Sequence, residues 1–285
     1  MFSTTPEISQ AIKTMSKKSK RSKQNKKIIS IPSQADKLFD LAGQQILHGD
    51  YEEAVINCER LLNFLPQRVP MRADVLSQMG TALAMLQEFP RSYEAFTEAL
   101  AIDPKNAELW YNRGMASRYT TRFGRSLRDY ERAKELNTLP PLTDRIEKEV
   151  KFARKVAEGS MKERGPNFTL DQLIEQEDLF QRGLELMMEG KWEEAGQSFE
   201  ASIAMGDCLP PPWGNLGNCL MMQERYDEAE AAFKHALAID PKYAIAKNNL
   251  AMLPEIRRTG PPKMVAINDP FKNVKLKQGI TFIAE

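Results

Sequence analysis

Apolar and polar positions alternate along this chain with the period of helices. From Pro140-Pro141 onward, Leu142, Ile146, Val150, Ala153 and Ala157 stand at steps of three and four with Lys and Glu opposite them, which predicts one long helix. Gly165-Pro166 should stop it, with a hinge at Gly165. Thr169 followed by Gln172 three residues later reads as a capping box that opens another helix, running on through Met188. Ala244 to Leu253 reads as helical up to Pro254. Only Gly279 to Ile283 alternates in the manner of a short strand, at the end of an extended tail.

A longer period organises the rest. Ala99-Leu100-Ala101-Ile102-Asp103-Pro104 returns almost unchanged as Ala236-Leu237-Ala238-Ile239-Asp240-Pro241, so a unit has been duplicated. The best-preserved copy runs from Pro210 to Tyr243, with Trp213, Leu216-Gly217, Tyr226, Ala229, Phe233, Ala236 and Pro241 in order. That order resembles the tetratricopeptide repeat (TPR), a helix-turn-helix of about 34 residues. The same frame finds copies starting at Ala35, Ala73, Ala107 and Gln176, the last two carrying Trp110, Gly114, Phe123, Tyr130 and then Gly183, Gly190, Trp192, Phe199.

The resemblance implies an all-α fold: a right-handed TPR solenoid of antiparallel helix pairs, with disordered or extended tails. Small residues at the eighth place of each repeat, Ala42, Gly80, Gly114, Gly183 and Gly217, let paired helices approach closely, and aromatic and Leu residues fill the space around them. The expected organisation is a basic disordered tail over 1–34, three repeats over 35–140, a degenerate helical connector over 141–175, two repeats over 176–243, a capping helix over 244–258 and an extended tail over 259–285. Phe271 or Ile280 to Ile283 has a second reading, lying against the repeats or in their groove.

Composition supports a folded chain and removes several classes of function. With 42% apolar and 28% charged residues it can bury a core, and a net charge of +1 excludes a uniformly basic polyanion binder. The charge is unevenly placed: residues 1–34 hold eight Lys or Arg and one acid, leaving −6 for the remainder. Cys58, Cys208 and Cys219 show no zinc-ligand spacing and read as reduced and structural. Met1 to Ser30 holds no apolar run of the kind a secretory signal needs, and no stretch reaches the ~18 apolar residues of a membrane span. A cytoplasmic location follows, with the nucleus as the alternative in a eukaryote. Asn167-Phe168-Thr169 matches a glycosylation acceptor by chance alone, and Met15 is an alternative start.

No chemistry is legible. His48 and His235 have no partners at ligand or triad spacing, and no phosphate-binding glycine loop appears, so neither a metal nor a cofactor is expected and the chain reads as a non-enzyme. By the family resemblance, binding falls to the first helix of each repeat. The candidate partner-binding residues are Tyr111, Asn112, Tyr119, Phe180, Met187, Met188, Asn215, Asn218, Met222 and Asn249, with Met115, Leu184, Met221, Asn248 and Met252 beside them. Asn112, Asn215 and Asn249 occupy equivalent places, and a carboxamide both donates to and accepts from a peptide backbone. The methionines form either an adaptable apolar floor or part of the packing between helices.

Family members that clamp the carboxylate end of heat-shock chaperones carry Lys, Arg and Asn where this chain has Phe39, Gly43, Gln78, Glu108 and Asn112, so a chaperone-tail receptor is not expected. The partner is a protein or peptide. The alternative is a nucleic-acid-associated adaptor using residues 13–27, in which Lys17, Lys18, Lys20, Arg21 and Lys23 would meet a polyanion, although no aromatics interleave to stack on bases.

Overall fold

The computed structural model describes residues 33–261 apart from 68 and 139, and these form twelve α-helices with no strand. In chain order they are α1 (Gln34–His48), α2 (Tyr51–Phe64), α3 (Pro70–Met85), α4 (Phe89–Ile102), α5 (Ala107–Tyr119), α6 (Phe123–Leu136), α7 (Pro140–Arg164), α8 (Leu170–Met188), α9 (Trp192–Met205), α10 (Pro210–Met222), α11 (Tyr226–Ile239) and α12 (Ala244–Thr259). They sort into two compact units, one reaching Thr121 and including Arg128–Val150, the other made of Arg122–Leu127 and the chain from Lys151.

Local chemistry sets the ends. Ser33 and Asp36 exchange side-chain and backbone hydrogen bonds at the start of α1, and Thr169 and Gln172 do the same for α8. Tight turns join the helices of each pair, and the fifteenth residue of every repeat is left-handed there: Gly49, Gln87, Thr121, Gly190 and Glu224, with φ of 92°, 64°, 61°, 73° and 63°. Behind those turns the paired helices close on one recurring contact. A Cβ added to Gly80, Gly114, Gly183 or Gly217 would lie 2.9, 2.8, 2.6 or 2.5 Å from the ring of Phe96, Tyr130, Phe199 or Phe233, each sixteen residues further on. The first pair solves the same problem with sizes exchanged: Ala42 stands in the glycine place and Cys58 in the aromatic one, both fully buried.

Neighbouring pairs then share cores. In the N-terminal unit α1 packs beside α3 and α3 beside α5, with the second helices α2 and α4 each packed against the following first helix. In the C-terminal unit Leu186, Phe199, Leu216, Leu220, Phe233, Leu253 and Ile256 belong to one buried cluster.

The five repeats read from the sequence correspond to α1/α2, α3/α4, α5/α6, α8/α9 and α10/α11. The long helix ends where expected: α7 stops at Arg164, and Gly165 turns with φ 137°. The helix opened by the Thr169 capping box runs to Met188 as expected, with residue 175, the edge of the connector, inside it. One reading needs correction. Pro254 does not end α12, which runs through it to Thr259 because Leu253 and Ile256 are buried on either side of the proline, and Arg257 is held by Asp227 at 2.8 Å. Those contacts offset the ~3 kcal/mol that an interior proline costs. The tail readings, including Phe271 and Gly279 to Ile283, lie outside the described residues.

Candidate functional site

The first helices of the N-terminal unit present a mixed surface. Tyr119, at the end of α5, is 46% exposed and stacks on Phe89 with ring centroids 4.5 Å apart and planes at 11°. Its neighbour Arg118 reaches Glu149 at 2.6 Å. Tyr111 is half-buried, its ring 5.6 Å from that of Tyr130, and Asn112 is half-buried beside it. Of the expected residues in this unit, Tyr119 offers the most free surface.

In the C-terminal unit the same expectations divide. Met188 is 47% exposed, Met222 is half-buried, and Met252 is 53% exposed on α12. Phe180 is half-buried, edge-on to Phe199 at 5.6 Å. Met187, Asn215 and Asn218 are buried, with 4%, 6% and 1% exposure, and this corrects their placement on the binding face. The reason is local. Helices α8 and α10 are each covered by neighbours on more than one side, so Met187 and Met221 join the core and take the packing reading. Gly214 admits the ring of Tyr243, half-buried with its hydroxyl pushed up to about 12 by burial. Asn218 accepts from Asn249 Nδ2 at 2.5 Å, tying α10 to α12. The three equivalent asparagines are therefore no uniform ladder: Asn112 is half-buried, Asn215 is buried, and Asn249 is spent on another carboxamide.

The structure adds polar groups that the repeat frame concealed. Arg113, at a place Leu holds in the best-preserved repeat, makes two hydrogen bonds to the fully buried Asp129, at 2.8 and 2.7 Å, and lies over the Trp110 ring at 4.7 Å. An arginine where the pattern calls for Leu was the available signal. Buried Gln176 donates from Nε2 to the carbonyls of Ser202 and Gly206 at 2.9 and 2.8 Å, while Arg164 donates to its Oε1. Glu177 accepts the backbone N–H groups of Gly124 at 2.9 Å and Arg125 at 3.3 Å, so it caps the N-terminus of α6 from α8. Burial pushes its carboxyl up to about 7, against the pull of those two N–H groups and of Arg122. Asp178 beside it takes Arg122 and Arg125. No sequence signal points to a cap that comes from so far along the chain.

Among the described residues no three or more His, Cys, Asp or Glu side chains gather as a metal site would require, and no helix is long and apolar enough to cross a membrane. Lys17, Lys18, Lys20, Arg21 and Lys23 lie outside the described residues.

Comparison with known proteins adds the following. Two family models, both described as tetratricopeptide repeat, match residues 210–243 and 95–135. A peroxisomal targeting signal receptor of Yarrowia lipolytica is 32% identical over 83 residues, which covers 29% of this chain and 14% of that protein. Among solved structures, the Sgt2 TPR domain from Aspergillus fumigatus is 18% identical, with 50% of this chain and 91% of that one covered at a TM-score of 0.41. The TPR2AB domain of yeast Sti1 in complex with pHSP90 is 14% identical, with 80% and 85% covered at a TM-score of 0.38. Superpositions at these scores carry no argument. The matched repeats and the recurring small-residue contact between paired helices do, and by them the chain carries tetratricopeptide repeats over residues 95–135 and 210–243.

Proposed function

We propose that this chain is a protein-interaction scaffold that holds an extended or helical segment of a partner protein along the first helices of its repeats and performs no chemistry itself. One observation carries the reading. The thirteenth residue of every repeat, at the end of its first helix, is a large apolar side chain left in contact with solvent. Leu47 is 47%, Tyr119 46% and Met188 47% exposed, while Met85 and Met222 are half-buried. An apolar side chain repeated at one place costs solubility unless something covers it, and three methionines and a tyrosine suit a partner read by shape. Asn112, half-buried on the same helix as Tyr119, supplies a polar contact there.

In this reading the partner is a protein or peptide and the place of action is the cytoplasm, where three free cysteines stay reduced. Phe39, Gly43, Gln78, Glu108 and Asn112 offer no cation to a peptide carboxylate, so a chaperone tail is not the proposed ligand. The test is affinity capture from native, nuclease-treated lysate with wild type and a Met188→Ser/Met222→Ser variant matched in thermal stability. Capture of the same partner should fall by about tenfold or more, as loss of a central apolar anchor does. Equal capture by the two proteins would sink the scaffold reading.

A further inference from the structure

The part of α7 that belongs to the C-terminal unit, from Lys151 on, carries a face that its own packing does not explain. Ala153 and Ala157 are buried, 1% and 0% exposed, and on the opposite side of the helix stand Lys151, Phe152, Lys155, Gly159 and Lys162, all exposed. At 3.6 residues per turn these five fall within about 100° of arc, along roughly 17 Å of helix. Lys151 and Lys155 are one turn apart, where like charges repel. Among the described residues no carboxylate pairs with Lys151, Lys155 or Lys162, although Glu158 and Glu163 border the stripe. Elsewhere in this unit Arg225, Lys234 and Arg258 each meet a carboxylate at 2.6 Å. The helix dipole accounts for a cation in the last turn, such as Lys162, but exerts no such pull on the two lysines further in.

Two further residues break local rules on the same face. Phe152 is 43% exposed among these cations. Gly159 sits in the helix interior, where glycine weakens a helix. Its φ is not left-handed, and a Cβ there would find nothing within 4 Å, so neither backbone nor packing asks for a missing side chain. Unpaired like charges, an exposed ring and an interior glycine thus coincide on one stripe, and departures of this kind concentrate where a surface meets a ligand. The residue types select that ligand. Ammonium groups are point charges suited to phosphate, whereas a carboxylate is matched best by the arginine fork, and the stripe has no arginine. A ring among cations is a platform for a base, and a bare stretch of backbone lets a sugar-phosphate chain come close. A duplex keeps its bases stacked and offers the ring no face, which favours a single strand.

We propose that the stripe Lys151, Phe152, Lys155, Gly159 and Lys162 on α7 binds single-stranded nucleic acid, with the lysines on phosphates, the Phe152 ring against a base and the strand passing over Gly159. The proposal does not depend on the reading of the first helices as a protein-binding face. Three phosphate contacts give a modest affinity that falls with salt, and one stacked base adds little preference for sequence.

The test is fluorescence anisotropy of labelled oligo(U) and oligo(dT), each about 15 nucleotides long, against the full chain with Lys17, Lys18, Lys20, Arg21 and Lys23 changed to Ser, so that those cations contribute nothing. The slope of log affinity on log salt should be about −2, as ~0.7 for each of three phosphate contacts requires. In that background Lys151→Ala/Lys155→Ala should weaken binding about tenfold or more at ~50 mM salt and bring the slope to about −0.7. Phe152→Ala should weaken it about fivefold or more and leave the slope unchanged, which separates stacking from charge. Gly159→Gln should raise the thermal midpoint and yet weaken binding about threefold or more. Binding of either strand in this pattern supports the proposal, and the tighter of the two distinguishes RNA from DNA. Absence of saturable binding, or an affinity and slope indifferent to the α7 substitutions, would overturn it. So would polyglutamate of matched charge bound as tightly as the strands, which would assign the stripe to an acidic protein, or a duplex bound as tightly, which would leave Phe152 without a role. No cellular partner is needed, whereas the capture comparison of Met188 and Met222 variants needs one, so either reading can fail without the other.

Discussion

A methyl group is enough to disturb the joint inside a repeat. At Gly217 it would meet the Phe233 ring at 2.5 Å, so Gly217→Ala should destabilise the chain by about 1–3 kcal/mol, read from a urea melt. Thr121 is the opposite case, a β-branched residue held at φ 61° in a turn where Gly49 and Gly190 sit at ease. Thr121→Gly should raise stability by about 1 kcal/mol in the same measurement, and a loss instead would mean that the turn is not left-handed. The glycines were legible because they recur at fixed spacing beside aromatic partners. Asn215, Asn218 and Met187 were misplaced for a reason specific to this architecture. A first helix is buried on more than one side, and the side left free depends on residues such as Tyr243 that the apolar pattern of the helix does not contain.

At the scale of elements, the ends of helices were readable when the capping groups were local and opaque when they were not. Ser33 with Asp36 and Thr169 with Gln172 announce α1 and α8 within four residues. The cap of α6 comes instead from Glu177, more than fifty residues further on. Its titration has a definite sign. The folded carboxyl, at about 7, lies above the ordinary 4.5, so its contribution to stability is fully present below about 4.5 and is lost as pH rises through about 7. Glu177→Gln should flatten the stability profile across that window while keeping an oxygen for the Gly124 N–H. A profile equally steep with Gln would assign the slope to another group. Pro254 teaches the complementary lesson: a breaker read from sequence yields to burial of Leu253 and Ile256 on either side of it.

For the molecule as a whole, the repeat spacing revealed five helix pairs, and it did so because each pair solves the same packing problem with the same few residues. The division into two compact units was less visible. The expected border followed the end of the repeat signature, whereas the observed one assigns the first turn of α6 to the later unit, where Glu177 and Asp178 hold it. The buried cysteines fall one on each side of that division, Cys58 in the earlier unit and Cys219 in the later, both with thiols pushed up to about 12 by burial, while Cys208 is half-buried. An excess of a thiol reagent at mild alkaline pH should therefore label Cys208 first and the other two only as fast as their surroundings open. All three reacting at one rate would contradict the packing described for Ala42 and Cys58. The two slow thiols are in effect independent clocks placed in the halves of the chain. Capturing a partner should slow whichever clock belongs to the half that holds it, which turns an unmodified protein into a reporter of where its ligand sits.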